Sequence, residues 1–314
     1  METSVSNYAI EVADLNDAQS LAEIMELSDK ALNPEASSVS TTEAEEILSG
    51  YIDGVAARKL VSKSSERIES IVTVHPDKSR NRIYADSWQL PGSNLETLAL
   101  KVTIDLAREI SDGDALWVGT NALDHKYISV LKSFDFELLR TYWGLRAPVE
   151  KVEFPDLPTG FQIRTVSSEE ELNSWWRVHQ DSFQFHFGFM PRPFEDWKVM
   201  VEKAVGIDLD ARWVLFHEDR AVGFIECSDI KKEQNTGYVD GLGVIQEFQG
   251  RGLGELLLKW AFAYYSAQGR SHIELNVDTG NESGALRLYE KLGMKPKHSW
   301  QQYENLDWEK INFG

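Results

Sequence analysis

The 314-residue chain has one cysteine, Cys227, which excludes an intramolecular disulfide and any multi-cysteine metal site. His179 and His186 have no third ligand near them in sequence, so no metal is assigned. Positive charge is scarce: 32 Lys and Arg against 51 Asp and Glu give a net charge of −19. That balance argues against a nucleic-acid partner, whose phosphates need a basic face, and against docking on an anionic membrane. Long apolar runs are missing too; the best candidate, Leu256 to Tyr265, is broken by Lys259. Met1-Glu2-Thr3-Ser4 lacks the basic start and apolar stretch of an export signal, so a cytoplasmic chain is expected.

What is present is apolar material for sizeable cores: 42% hydrophobic residues, 11% aromatic, ten Trp. This excludes disorder of the whole chain. At about 100–200 residues per domain, the length predicts two domains. Lys151 to Gly160, with Pro155, Pro158 and no periodic pattern, is a predicted linker. The expected division is therefore 1–150 and 151–314.

The halves share one plan. Tyr8–Val12 and Phe161–Val166 alternate as strands, each followed by an acidic helix-like stretch. Leu98, Ala115 and Leu131 then fall opposite Leu256, Ile273 and Tyr289 at a constant offset of 158 positions. A duplicated domain gives such an offset. In the second half the pattern predicts a strand (161–166), helices (168–183 and 193–204), strands (212–218, 221–229 and 236–244) and a helix (253–268). A strand (271–277), a helix (281–292) and strands near 295–298 and 301–306 follow. Glu218-Asp219 makes a hairpin turn. The class is mixed α/β, a central mixed sheet with helices on both faces.

The chemistry concentrates in Gln249-Gly250-Arg251-Gly252-Leu253-Gly254, which opens an amphipathic helix. Three glycines in five residues let consecutive N–H groups turn toward one point. The helix start adds its unpaired N–H groups and positive dipole end, and Arg251 a full charge. Such a turn suits a pyrophosphate, whereas a lone glycine cluster also serves as a plain surface turn. Two phosphate motifs are excluded: Gly254 is followed by Glu255 rather than Lys-Ser/Thr, and the glycine spacing is not Gly-x-Gly-x-x-Gly.

This loop resembles the Gln/Arg-x-x-Gly-x-Gly/Ala signature of the GNAT N-acetyltransferase superfamily, and Leu275 to Met294 is similar to that family's closing motif. The likeness is specific over about 236–295 and extends over 161–306. The resemblance implies tandem acyl-CoA N-acyltransferase-like domains with acetyl-CoA as co-substrate, its pyrophosphate on Gln249, Gly250, Arg251, Gly252, Leu253 and Gly254. It implies that Leu242, Gly243 and Val244 pair with the pantetheine arm, one amide polarising the thioester carbonyl, and that Asn281 hydrogen-bonds that arm. Tyr289 stands where the family often carries the tyrosine that protonates the leaving thiolate; it also fits a buried core position beside Leu286 and Leu292.

The acceptor is expected to be a small-molecule primary amine, which must lose a proton to attack. Many relatives carry a glutamate where this chain has Tyr238. Strand alternation places Tyr238, Asp240 and Leu242 on one face, which makes Asp240 the candidate base or a turn or substrate-charge contact. Glu226 is a weaker candidate. Phe183 to Pro191 is rich in Phe and suggests an apolar acceptor wall with Phe183, Phe187 and the polar handle His186, or ordinary helix packing. Glu169-Glu170-Glu171 is a solvated helix start.

At the 158 offset, the glycine loop falls opposite Pro91-Gly92-Ser93-Asn94-Leu95-Glu96, and Tyr289 and Asn281 opposite Leu131 and Leu123. The first half is thus expected to be a degenerate domain without the cofactor loop, paired with the second in a monomer. The plan is similar to that of mycothiol synthase-like two-domain acetyltransferases. The missing acid at Tyr238 and the Phe-rich segment depart from them. A non-catalytic acyl-CoA-binding or regulatory module is the alternative from another class.

Overall fold

The computed structural model describes residues 5–313 except 37, 51–53, 111–114, 204–210 and 282–283. In chain order it has β1 (Tyr8–Val12), α1 (Ala18–Leu32), α2 (Thr41–Ser49), β2 (Ala56–Ser62), β3 (Ile68–Asp77) and β4 (Arg82–Gln89). Then come α3 (Glu96–Ile110), β5 (Ala115–Asn121), α4 (His125–Ser133), β6 (Glu137–Pro148), β7 (Phe161–Thr165), α5 (Glu169–Phe183) and α6 (Phe194–Lys203). The chain continues through β8 (Arg212–His217), β9 (Arg220–Ser228), β10 (Thr236–Val244), α7 (Leu253–Ala267), β11 (His272–Asp278), α8 (Ala285–Lys291) and β12 (Lys295–Asn305).

The chain divides into Met1–Tyr142 with His298–Gly314, and Trp143–Lys297. The break falls within β6 rather than in the 151–160 connection, and the last residues return to the first unit. The two strands expected near 295–298 and 301–306 are one, β12, whose second half pairs with β5 from Trp300–Asn121 to Asn305–Leu116. In the first unit the strand order is β1-β2-β3-β4-β5-β12. Its β4–β5 pair is parallel and its β1–β2, β2–β3, β3–β4 and β5–β12 pairs are antiparallel. A core of Val72, Ile83, Leu100, Leu116, Tyr127 and Tyr303 fills it.

In the second unit the order is β7-β8-β9-β10-β11-β6. β8, with neighbours on both edges and helices on both faces, is buried over Arg212–Phe216, which explains its near-continuous apolar sequence. α5 begins with a capping box: Ser168 Oγ accepts from Glu171 N, and Glu171 Oε2 accepts from Ser168 N at 3.0 Å. Its Trp175, Val178 and Ser182, at helical spacing, bury against the sheet. Trp175 meets Trp197 of α6 edge-on with centroids 4.4 Å apart, a geometry worth about 0.5–1.5 kcal/mol beyond area burial.

α7 lies on the opposite face. Its Tyr265 ring covers Gly237, and the hydroxyl lies 2.6 Å from the Tyr238 carbonyl, 2.8 Å from that of Ser228 and 3.0 Å from the Tyr238 amide nitrogen, which donates to it. No helix among the described residues is long and apolar enough to cross a membrane.

Gly237 is needed by that approach. A Cβ there would stand 2.3 Å from the Tyr265 ring. Gly237→Ala is expected to destabilise the second unit by about 1–3 kcal/mol, measured by urea unfolding followed through tryptophan fluorescence.

Candidate active site

β10 carries the centre of the site. It pairs in parallel with β11 from Thr236–His272 to Val239–Leu275, where the recorded register ends. On its other edge it stays antiparallel to β9, but the register slips between Val239 and Gly241, so Asp240 is an extra residue in a β-bulge. The bulge overturns the expected alternation. Gly241 and Gly243 now pair with Glu226 and Phe224, and Tyr238 with Ser228, all on the α5 face. Leu242, paired with Ile225, turns to the α7 face with Val244. Tyr238 and Leu242 therefore lie on opposite faces, and Asp240 is exposed at the kink.

Two close approaches fix β10 beyond the bulge. A Cβ on Gly243 would lie 2.3 Å from Ser182 Oγ and 2.5 Å from the Phe224 ring, so only glycine lets α5 come this near. Glu226, the weaker base candidate, is committed elsewhere: Arg212 Nε donates to its Oε1 at 2.9 Å, and the Arg212 side chain is 0% exposed. Burial pushes the Glu226 carboxyl above the ordinary range, against the pull of Arg212. It is an internal ion pair rather than a proton acceptor for a ligand.

The glycine loop follows. Gln249 Nε2 donates back to the Val244 carbonyl at 3.0 Å, closing the turn. Gly250 and Gly252 have φ of +74° and +78°, in the left-handed region, and Gly252 caps α7. Leu256 N–H makes the first bond of α7, to the Gly252 carbonyl, so the amides before it have no partner within the helix. Gly254 serves another purpose: a Cβ would sit 3.3 Å from Leu288, so the glycine lets α8 pack against this helix start. The exposed Arg251 guanidinium donates to the Glu247 carbonyl at 3.1 Å and lies over the Phe248 ring.

Glu255 would oppose a phosphate here, since it places a carboxylate in the first helical turn. Hydrogen bonds from Lys259, 2.8 Å away, and from Lys291 of α8 hold its carboxyl down to about 2, and the two lysines neutralise it locally. The residues present thus fit a pyrophosphate: left-handed glycine amides, a helix start, a nearby guanidinium and a compensated carboxylate.

Tyr289, on α8, is 8% exposed, and burial pushes its phenol up to about 12. Its hydroxyl has no hydrogen-bond partner among the described residues, and it is protonated at neutral pH. Asn281 does not start that helix. It lies in the preceding loop, its N–H on the Asp278 carbonyl at 3.1 Å, and α8 begins at Ala285 after Gly284, whose φ is +77°. Glu282 and Ser283 of the closing motif lie outside the described residues.

The Phe-rich connection splits. Phe183, the last residue of α5, packs inward between His179, stacked at 4.8 Å, and Phe224. Past the helix end Phe185 and Phe187 turn out, 73% and 46% exposed. His186 lies 4.3 Å from the Phe183 ring; burial lowers its pKa, opposed by the charge of Asp278 at the end of β11. The connection therefore reaches the open end of β10 and β11, although its phenylalanines do not form one wall. Sequence reasoning missed a cluster on the α5 face beside Tyr238, where Arg146, Lys231 and Lys297 surround Glu274. These four are scattered through the chain, and only the alternation of Glu274 with the apolar Ile273 and Leu275 hinted at one of them.

Residues 171–294 match the Acetyltransferase (GNAT) family. A mycothiol acetyltransferase of Beutenbergia cavernae is 32% identical over 149 residues, 47% of this chain and 49% of that protein. The chain spans about half the length of the curated relatives it matches first. Among solved structures, a GCN5-related N-acetyltransferase from Sphaerobacter thermophilus has a TM-score of 0.79 at 19% identity, covering 96% of each chain. A tandem GNAT protein from the clavulanic acid biosynthesis pathway scores 0.71 at 14% identity, covering 95% of this chain and 98% of its own. The fold is that of the tandem GNAT proteins.

His179 connects this site to stability. Burial first, then the charges of His186 and Arg192, hold its imidazole down to about 4. A histidine kept neutral in the fold and free to protonate near 6.5 when unfolded gives stability that is full above that pH and is lost as pH falls toward 4. His179→Gln is expected to flatten the fall of unfolding free energy between pH 6.5 and 4, measured by denaturant titrations across that range.

Proposed function

We propose, on the premise that the second unit carries a GNAT acetyltransferase domain, that this chain is an acetyl-CoA-dependent N-acetyltransferase acting on a primary amine of a small molecule. The observation that carries the reading is the bulge at Asp240. It ends the β10–β11 pairing at Val239, beside an anion-binding loop that begins five residues after Val244. An extended pantetheine arm would take the place of a strand along Leu242, Gly243 and Val244, with Asn281 on its other side. Gln249 to Gly254 would hold the pyrophosphate. When bound, acetyl-CoA supplies the acetyl group as a thioester.

The chain's own groups do the rest. A strand amide at Leu242–Val244 donates to the carbonyl oxygen as negative charge develops there, a fixed dipole that needs no reorganisation. The amine nitrogen bonds to the carbonyl carbon and the carbon–sulfur bond breaks. Asp240, exposed at the bulge, takes the proton released by the nitrogen, directly or through water. Tyr289, with its proton held at neutral pH, gives it to the departing sulfur. His186, Phe183, Phe187 and Tyr238 would border the acceptor. The first unit would be a domain without the cofactor loop, and calorimetric titration should find one acetyl-CoA site per chain; two equivalent sites would contradict this. Its Glu96, at the position of Gly254, would repel a phosphate.

The relatives' name supports a second reading, acetylation of an amino-sugar conjugate on the way to mycothiol, which the same assay tests by including such an acceptor. Release of free thiol from acetyl-CoA across a panel of amines is the deciding experiment; tight binding without turnover on any of them would mark a binding module instead.

Two substitutions separate the roles. Arg251→Glu should weaken acetyl-CoA binding about tenfold or more, with a smaller effect on kcat. Tyr289→Phe should lower kcat by about 10²-fold with acetyl-CoA affinity kept, and unchanged kinetics would remove Tyr289 from the mechanism.

A further inference from the structure

The first unit holds polar groups inside its sheet that no contact of the fold uses. Asp86 stands in the middle of β4, opposite Thr73 of β3 and Gly119 of β5. Its carboxyl has neither a hydrogen bond nor an ion pair among the described residues, and burial alone pushes it up to about 6. At neutral pH it is therefore mostly ionised and unpaired. Arg82, the one cation of that strand, is four residues away and turns to Asp77 and to the Trp117 ring. A buried carboxylate left without a counter-charge is costly to a fold.

Its neighbours are likewise unused. Thr73 is fully buried, and its hydroxyl has no hydrogen-bond partner. His75 lies two positions along β3 on the same face, diagonal to Asp86. It makes no hydrogen bond among the described residues, and burial holds its imidazole down to about 4, so it is neutral and gives Asp86 no charge. Gly119 leaves room above the sheet. A Cβ there would stand 2.3 Å from Asp86 Oδ1 and 2.5 Å from Trp300 Nε1, so carboxylate and indole lean over the same glycine.

Trp300 and Trp88, the latter two residues after Asp86, pack with the core beneath α1 and α2. Asp86, His75 and Trp300 nevertheless keep part of their surface open. Groups that are enclosed by the fold and still open line a recess rather than a packed core. The two helices above carry six acidic residues and one lysine, a field that favours entry of a cation.

We infer that this recess is an amine site of the first unit, in which a primary ammonium sits between the Asp86 carboxylate, the Thr73 hydroxyl and a His75 ring nitrogen, beside the Trp300 indole. An ammonium has three donors and no acceptor, which matches three acceptors without partners. Diagonal neighbours on adjacent strands stand about 7–8 Å apart, a gap that one ammonium bonded to both sides fills. The indole adds an aromatic surface to which a cation is attracted. The ligand supplies the counter-charge that the fold withholds from Asp86. The site does not depend on the acetyltransferase reading, because its residues all belong to the unit without the glycine loop.

Calorimetry on the full chain without acetyl-CoA tests this with hexylamine, its neutral twin 1-hexanol, and hexyltrimethylammonium, which keeps the charge without N–H donors. Hexylamine should bind about tenfold or more tightly than 1-hexanol and several-fold more tightly than the trimethyl probe. Asp86→Asn should erase most of the preference over 1-hexanol, and Thr73→Val, of the same shape, should reduce it. Asp240→Asn, in the other unit, should leave the Asp86-dependent binding in place. Without amine, Asp86→Asn should have a Tm equal to or above that of the parent chain, because it removes an unpaired buried charge. A lower Tm marks Asp86 as a structural residue and overturns the site. So do equal binding of hexylamine and 1-hexanol, or a preference that survives Asp86→Asn. Equal binding of the trimethyl probe overturns the hydrogen-bonded placement of the ammonium. None of these outcomes bears on thiol release from acetyl-CoA, which tests the acetyltransferase reading separately.

Discussion

A strand that loses its partner halfway along its length governs the second unit. β10 is held on one edge by β9 throughout, whereas its register with β11 ends at Val239. Backbone donors and acceptors leaving a ladder need new partners, since an unpaired polar group away from water is costly. Bulges add local twist, and the one at Asp240 stands where the register with β11 ends. Close approach by Ser182 and Phe224 at Gly243, and by Tyr265 at Gly237, then fixes it from both faces. The glycine loop, the start of α7 and α8 all take their positions from the end of that strand.

Electrostatics is organised locally against the charge of the whole. In a strongly acidic chain, Lys259 and Lys291 neutralise Glu255 in the first turn of α7. Glu274 is treated in the reverse way, one carboxylate holding together three cations. The screening length of about 8–10 Å at moderate salt lets such local arrangements differ in sign from the net charge.

The two units repeat each other in backbone more faithfully than in side chains. Gly92, Asn94 and Asp135 have positive φ, and each lies 158 positions before a glycine with positive φ: Gly250, Gly252 and Gly293. The loop shape therefore persists in the first unit, while Arg251 corresponds to Ser93 and Gly254 to Glu96. β3 and β4 pair from Ser70–Gln89 to Asp77–Arg82 without a register shift, so the first unit has no counterpart of the bulge at Asp240. Left-handed turns recur in both units because each needs the change of direction there, whereas the charge beside them differs.

Sequence by itself determined the local matters. Alternation and helical spacing placed β10 over 236–244 and α7 from Leu253, and the glycine spacing marked the left-handed turn before that helix, because each depends on neighbours along the chain. The tertiary structure decided what depends on distant strands. A bulge is defined only against a partner strand, so the opposite faces of Tyr238 and Leu242 were invisible in the alternation. The pairing of β12 with β5 joins positions 179 to 189 residues apart, and no local pattern encodes it. The same holds for Arg146, Lys231 and Lys297 around Glu274: each is an ordinary charged residue in sequence, and only the fold brings them together.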